Sequence, residues 1–151
     1  MKDASSEMKD AELYEQDFFL WTRETAAALR ARRFADLDID HIAEEIEDMG
    51  ARHQRELDSR VTQILEHLLK LRLAKGLILE YNQAGWQASV FRQRREIAKI
   101  LRYSPSLRRL ATLDLIRECY KEAAAAVAIE YKVEPPADCP FSEEDILSAA
   151  T

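Results

Sequence analysis

The stretch HIAEEIEDMG at residues 41–50 places one histidine and four carboxylates within ten positions. These side chains are of the types that ligate metal ions or transfer protons. In a helix, His41, Glu44, Glu45 and Asp48 share one face, and the isoleucines and methionine of the stretch occupy a face about 100° away. Because the carboxylates flank the apolar face instead of filling it, we interpret them as a solvated or salt-bridged surface. We therefore predict neither a metal site nor a cofactor.

Two further histidines, His53 and His67, lie near the apolar stripe of the same helical pattern. We expect both to be buried, neutral and hydrogen-bonded. No serine or cysteine stands in a motif that would make it a nucleophile, so we predict no catalytic residue. The residues favour a non-enzymatic protein, and a metal-binding or enzymatic bundle built on Glu44, Glu45 and these histidines is an alternative.

A candidate anion-binding stripe begins with four cations at 3,4,3 spacing on one helix and extends past the end of that helix. Its members are Arg92, Arg95, Lys99, Arg102, Arg108 and Arg109. Such a stripe fits nucleic-acid phosphates. The chain has a net charge of −6, however, which favours a carboxylate-rich partner in the same molecule or in another subunit.

The charges alternate along the chain. Residues 1–50 carry 14 acidic and 6 basic side chains, residues 51–110 carry 5 and 13, and residues 111–151 carry 9 and 3. Arg94 falls on the apolar side of its helix, and a buried cation requires a counter-charge. We predict that Glu44 or Glu45 supplies it.

The composition predicts an all-helical protein. Glycine and proline number only three and four, and strong helix formers dominate. No apolar run is long enough to span a membrane or to serve as a signal sequence, so we expect a cytoplasmic protein without membrane contact. Cys119 and Cys139 have no nearby partner cysteine and are interpreted as reduced thiols.

Apolar residues repeat at helical spacing over two long stretches in the first half of the chain. The first stretch runs from an N-cap at Asp10 to Arg33. The second is capped by Asp38 or Asp40 and continues past Gly50, where we predict a kink. The segment 72–85 holds two glycines and an Asn-Gln pair, which favours an irregular connection.

The sequence of the second half of the chain predicts two long helices and one short helix. The first covers residues 86–103, and Ser104 with Pro105 starts another that runs to about Tyr131. Residues 132–141 form a linker to a short helix capped by Ser142. These elements predict one domain over residues 1–151, an up-and-down bundle of four main helices preceded by a tail at residues 1–9.

Five segments in register resemble the DUF29 family of small bacterial helical proteins. They are YEQDFFLWTRETAAALR at 14–30, LDIDHIAEEIEDMG at 37–50, HLLK at 67–70, GWQASVFRQRREI at 85–97 and SPSL at 104–107. The resemblance implies an all-helical fold and no established activity. Its signature positions are Glu44, Glu45, Gly50, His67, Trp86, Arg94, Ser104 and Pro105. The chain departs from the family pattern between Leu71 and Gly85, where it is more apolar.

The resemblance implies that Glu44 or Glu45, His67 and Arg94 meet in the bundle. Such a group could be a buried structural network or a small anion pocket. The first functional interpretation is nevertheless a protein–protein interaction or regulatory bundle, including self-association through an exposed helix face. Nucleic-acid or phosphate binding through the basic helix is the alternative.

Overall fold

A computed structural model describes residues 12–148, and every regular element in that range is helical. The α-helices are α1 (Phe18–Arg30), α2 (Ile39–Leu73), α3 (Gly76–Tyr103), α4 (Leu113–Tyr131) and α5 (Glu143–Leu147). Short 3₁₀ helices cover Phe34–Asp36 and Pro105–Arg109, and residues 12–16 are also helical. The predicted all-α class with four long helices is confirmed. The predicted tail at residues 1–9 lies outside the described residues.

The chain divides into two compact units with a boundary between Ala51 and Arg52. We call the described residues before this boundary unit 1 and those after it unit 2. Helix α2 runs through the boundary without interruption, as predicted, and the boundary falls just after Gly50. The kink at Gly50 and the single-domain organisation stay predictions.

Unit 1 contains α1, the first 3₁₀ helix and the beginning of α2. The helix predicted from Asp10 to Arg33 is interrupted at Asp17 and ends at Arg30. The side chain of Asp17 caps α1 by accepting a hydrogen bond from the Leu20 amide at 2.9 Å. Asp38 caps α2, as predicted, by accepting a hydrogen bond from the His41 amide at 3.2 Å. The predicted cap at Asp10 lies outside the part of the chain that the structure describes.

Unit 2 is an up-down-up bundle of the rest of α2, then α3 and α4. The ring of Tyr103 at the end of α3 stacks on His53, and Gln93 earlier in α3 accepts a hydrogen bond from Arg60, so α2 and α3 run antiparallel. Helix α4 runs parallel to α2, because Cys119 contacts Asp58 and Glu130 contacts Lys70. The core of the bundle includes Leu57, Val61, Ile64, Leu65, Ile97, Ile116, Ala123 and Val127.

The irregular connection predicted for 72–85 is wrong. Only Ala74 and Lys75 separate α2 from α3, and residues 76–85 form the first turns of α3. Gly76 adopts φ +58°, a left-handed conformation that glycine reaches without a steric cost. Gly85 is helical despite the intrinsic preference of about 1 kcal/mol against glycine. One of the two glycines therefore marks the turn, and the other does not.

The helix predicted to start at Ser104 begins later. Pro105 occupies the first position of the 3₁₀ helix, and the Ser104 side chain makes no capping bond there. Helix α4 starts only at Leu113, after a break at residues 110–112. The linker at residues 132–141 is non-helical, and the predicted Ser142 cap of α5 is confirmed by a reciprocal capping box with Asp145.

Candidate functional site

The apolar stripe of α2 changes from exposed to buried along one continuous helix. In unit 2, Leu57 and Ile64 are both fully buried. In unit 1, three apolar residues of the same repeat, Ile39, Ile46 and Met49, are 55%, 62% and 60% exposed. We call these three residues the unit 1 stripe. Ile39 and Ile46 share the helical phase of Leu57 and Ile64, whereas Met49 lies about 60° from Ile46 around the helix. For the two isoleucines the difference in exposure therefore lies in what covers that face.

Unit 1 buries little apolar surface of its own. Only Trp21, Ala28 and Leu37 are buried apolar residues among the described residues of this unit. Its exposed large apolar residues are Phe18, Phe19, Leu20, Leu29, Phe34, Ile39, Ile46 and Met49. Contiguous exposed apolar surface on a folded protein marks an interaction surface. The unit 1 stripe is therefore a candidate interaction surface.

Carboxylates surround the unit 1 stripe. Residues 12–51 contain eleven aspartates and glutamates and four arginines, a net charge of −7. By helical phase, Asp40 and Glu47 are exposed on one side of the stripe, Asp48 is exposed about as far around on the other side, and Glu44 lies opposite the stripe. The surface is thus apolar along its centre and negative around it.

Glu45, one of the predicted network residues, holds unit 1 together. The hydroxyl of Tyr14 donates a hydrogen bond to its Oε1 at 2.7 Å. This bond, followed by partial burial and nearby carboxylates, raises the pKa of Tyr14 to about 12, because ionisation would remove the donor and add a negative charge. Glu45 therefore fixes residues 12–16 against the start of α2.

Asp38 and His41 form a second polar contact of unit 1, which the sequence interpretation missed. Asp38 Oδ2 lies 2.5 Å from His41 Nδ1, and the His41 ring stacks on Tyr14 with centroids 4.0 Å apart. The hydrogen bond to Asp38 raises the pKa of His41. Burial raises the pKa of Asp38, but the hydrogen bonds from His41 outweigh it and the pKa is lowered overall. The sequence signal that could have predicted this contact is an aspartate at the N-cap three residues before a histidine.

His67 and Arg94 have different partners. The Nδ1 atom of His67 lies 2.7 Å from the backbone carbonyl oxygen of Gln63, one turn earlier in α2. Arg94 donates from Nε and Nη2 to the backbone carbonyl oxygen of Asp145, at 3.0 Å from Nε. Arg94 thus bonds α3 to α5 and is only half-buried, so it does not require the carboxylate expected at a deeply buried position. The pairing of Arg94 with Glu44 or Glu45 stays a prediction.

The expectation that His53 is buried is wrong. His53 is exposed, and its ring stacks on Tyr103 with centroids 6.5 Å apart. His67 is only half-buried. Within residues 12–148, no three His, Cys, Asp or Glu side chains are grouped so that they could hold a metal ion.

The predicted cationic stripe lies at the surface of unit 2. All six of its members are exposed: Arg92, Arg95, Lys99, Arg102, Arg108 and Arg109. Lys99 donates to Glu96 at 2.6 Å, and the Arg95 guanidinium lies 5.8 Å from the centre of the Phe91 ring. The stripe therefore keeps most of its positive charge available to a partner.

A groove of about 630 Å³ lies between α2 and α4, and the sequence interpretation did not find it. Four carboxylates and one arginine are among its lining residues: Asp58, Glu66, Glu118, Glu122 and Arg55. Asp58 Oδ1 is buried without a hydrogen-bond partner among the described residues, and burial raises the pKa of Asp58. Burial also raises the pKa of the Cys119 thiol, which keeps this cysteine protonated and unreactive at neutral pH.

The fold and these surfaces define a class of protein: all-helical, with a packed bundle and an exposed apolar face surrounded by carboxylates. None of the helices between residues 12 and 148 is long and apolar enough to cross a membrane. The chain belongs to the family described as Domain of unknown function DUF29, whose model matches residues 13–150. No curated protein and no solved structure matches the chain.

Proposed function

We propose that this chain is a non-enzymatic protein–protein interaction module that binds a basic amphipathic helix on the unit 1 stripe. The observation that carries the proposal is the change in exposure along α2: the stripe that the bundle covers in unit 2 is uncovered in unit 1. A helix laid along the stripe would bury the side chains of Ile39, Ile46 and Met49. Burial of each such side chain contributes about 1 to 3 kcal/mol.

The charge of unit 1 defines the chemistry of the partner. An apolar face alone would accept any amphipathic helix, but carboxylates at Asp40 and Glu47 border this one. Complementary charge at the edge of an interface raises the association rate and excludes partners of like charge. A helix with an apolar face bordered by lysine or arginine fits best.

We also propose that the protein acts in the cytoplasm. Cys119 and Cys139 are both free thiols, and disulfides are rare in reducing compartments.

A peptide-binding measurement tests the proposed function. The probe is a fluorescent amphipathic helix made of leucine, alanine and lysine, titrated with dilute protein and followed by anisotropy. We expect saturable binding, and we expect the double variant Ile46→Ser, Met49→Ser to weaken it by about tenfold or more, because two apolar contacts are lost.

The matched control is the double variant Leu77→Ser, Ile78→Ser. These two side chains of unit 2 are also exposed, at 66% and 50%, and we expect their loss to leave the affinity unchanged. A second peptide with glutamate in place of lysine should bind weakly. Equal effects of the two protein variants, or equal affinity for the two peptides, would contradict the proposal.

A further inference from the structure

The outward face of α3 supplies positive charge that complements the carboxylates of unit 1. Helix α3 buries one face with Trp86, Val90 and Ile97. Arg92, Arg95, Lys99 and Arg102 are all exposed, and most of them lie opposite the buried face by helical phase. The aliphatic stems of arginine and lysine cover apolar surface while their charged ends stay hydrated.

Aromatic side chains lie at both ends of this cationic row. Phe91 is 45% exposed and Tyr103 is 85% exposed. Both are available to contact apolar side chains of a partner, and aromatic residues with arginine are typical of the centres of protein interfaces. The α3 face is therefore cationic and partly apolar.

The two surfaces have matching lengths. The unit 1 stripe extends from Ile39 to Met49, and the cationic row extends from Arg92 to Arg102. Each covers ten helical steps, or about 15 Å along its axis. One helix can thus lie along the other with its cations beside the carboxylates that border the stripe.

Charge disfavours the simpler arrangement in which two unit 1 stripes pair with each other. Each copy of residues 12–51 has a net charge of −7, so such a pair would bring like charges together. Like-charge contacts across an interface cost several kcal/mol. A basic helix face is a far better occupant, and the same chain supplies one.

We infer that the partner of unit 1 is a second copy of this chain, whose α3 cationic face docks on the unit 1 stripe. This inference rests on the proposed function and names the partner. The inference predicts a dimer in which α3 of each copy covers the stripe of the other.

A charge-swap experiment tests this inference. The first variant carries Asp40→Lys and Glu47→Lys, which reverses the border of the stripe. The second carries Arg95→Glu and Lys99→Glu, which reverses the cationic face. Circular dichroism checks that both variants are folded. Mass is then measured by sedimentation equilibrium for the wild type, for each variant and for an equimolar mixture.

The wild type should pass from a 17.4 kDa monomer to a dimer as its concentration rises. Each variant alone should be monomeric, because like charges then meet at both interfaces. The equimolar mixture should dimerise again, because a lysine-bordered stripe meets a glutamate face at one interface and the native pair remains at the other. The dimerisation should weaken as the salt concentration rises.

Matched controls change the same charges elsewhere. Glu44→Lys alters the α2 carboxylate that lies opposite the stripe by helical phase, and Arg117→Glu with Lys121→Glu alters exposed positions on α4. We expect both control variants to dimerise like the wild type. Loss of the dimer in these controls as well would overturn the inference.

A wild type that stays monomeric up to about 1 mM would also overturn the inference, since even weak association is visible there. If the basic peptide still binds such a monomer, the proposed function stands and only the identity of the partner is wrong. If the peptide does not bind, the proposed function fails too. A monomeric wild type whose cationic face binds duplex DNA with steep salt dependence would assign that face to nucleic acid instead.

Discussion

Units 1 and 2 share helix α2 but differ in how much of its apolar face they cover. In unit 2, α3 and α4 cover the apolar stripe of α2 and bury Leu57, Val61 and Ile64. In unit 1, the same periodic stripe continues through Ile46 and Met49 but is more than half exposed. Unit 1 is held by polar contacts at Asp38, Glu45 and Tyr14 and by ring contacts of Tyr14 and Phe18 with the buried Trp21, but these bury little apolar surface of α2.

The comparison shows that an apolar period and a covered core are separate properties. The period specifies which face of a helix must leave water. It does not specify whether the covering side chains come from the same chain or from another molecule. In this protein the helices of unit 2 cover the apolar face of α2 there, and we propose that a partner molecule covers that face in unit 1.

The largest expected effect is the difference in stability between truncating an apolar residue of α2 in unit 2 and truncating one in unit 1. Ile64→Ala should lower the free energy of unfolding by about 2 to 5 kcal/mol, because it leaves a cavity in a close-packed core. Ile46→Ala should change it by less than about 0.5 kcal/mol in dilute protein, because the side chain is already exposed. Urea denaturation of both variants measures the difference. Similar losses would show that Ile46 is covered within the single chain.

A smaller effect is expected from the ion pair of unit 2. The Lys70 ammonium lies 2.7 Å from a carboxylate oxygen of Glu130, and the Lys70 side chain is only 11% exposed. Glu130→Gln should lower the free energy of unfolding by about 1 to 2 kcal/mol, because a nearly buried cation loses its counter-charge while the Glu130 side is open to water.

The double variant Lys70→Met, Glu130→Gln should recover most of this loss, since it removes the buried charge as well. Denaturation of both single variants, the double variant and the wild type completes the cycle. If the two single effects simply add, the two side chains are not coupled and the ion pair does not stabilise unit 2.

The smallest effect concerns pH and unit 1. His41 has a raised pKa, so its contribution to stability is complete below the ordinary histidine value of about 6.5 and is lost as the pH rises through the raised pKa. Asp38 has a lowered pKa, so its contribution is present above about 3.9 and is lost as the pH falls through the lowered pKa. Unit 1 should therefore be best ordered between these limits.

NMR signals of unit 1, such as the Trp21 indole, should follow this window. His41→Gln should remove their change on the alkaline side. His53→Gln is the matched control, because the exposed ring of His53 stacks on Tyr103 in unit 2. A His53→Gln variant that behaves like His41→Gln would show that the contact between Asp38 and His41 does not hold unit 1.

Much of the fold follows from the sequence because its signals are local. Helical periodicity located the four long helices, and Asp38 and Ser142 were found as caps because their side chains bond amides three residues away. The segment 72–85 was misread because glycine weakens a helix without ending it, and only Gly76 takes the left-handed conformation of a turn.

The candidate site was less accessible to sequence reasoning. The cationic row at Arg92 to Arg102 was found, because a 3,4 repeat of one charge needs no tertiary information. The exposure of Ile46 and Met49 was not predicted, since an exposed apolar stripe has the same sequence pattern as a buried one. The hydrogen bond from Arg94 to the backbone of Asp145 was not predicted, because a backbone carbonyl fifty-one residues away leaves no mark on the pattern of side chains.

Hydroxyl-radical footprinting of α2 tests the central claim most directly, because it reads side-chain exposure along one helix. In dilute protein we predict rapid labelling of Ile46 and Met49 and almost none of Ile64 and Leu65. Labelling of the first pair should fall when the basic peptide or a high protein concentration covers the unit 1 stripe. Equal protection of both pairs in dilute protein, or labelling of Met49 that no addition reduces, would contradict the account.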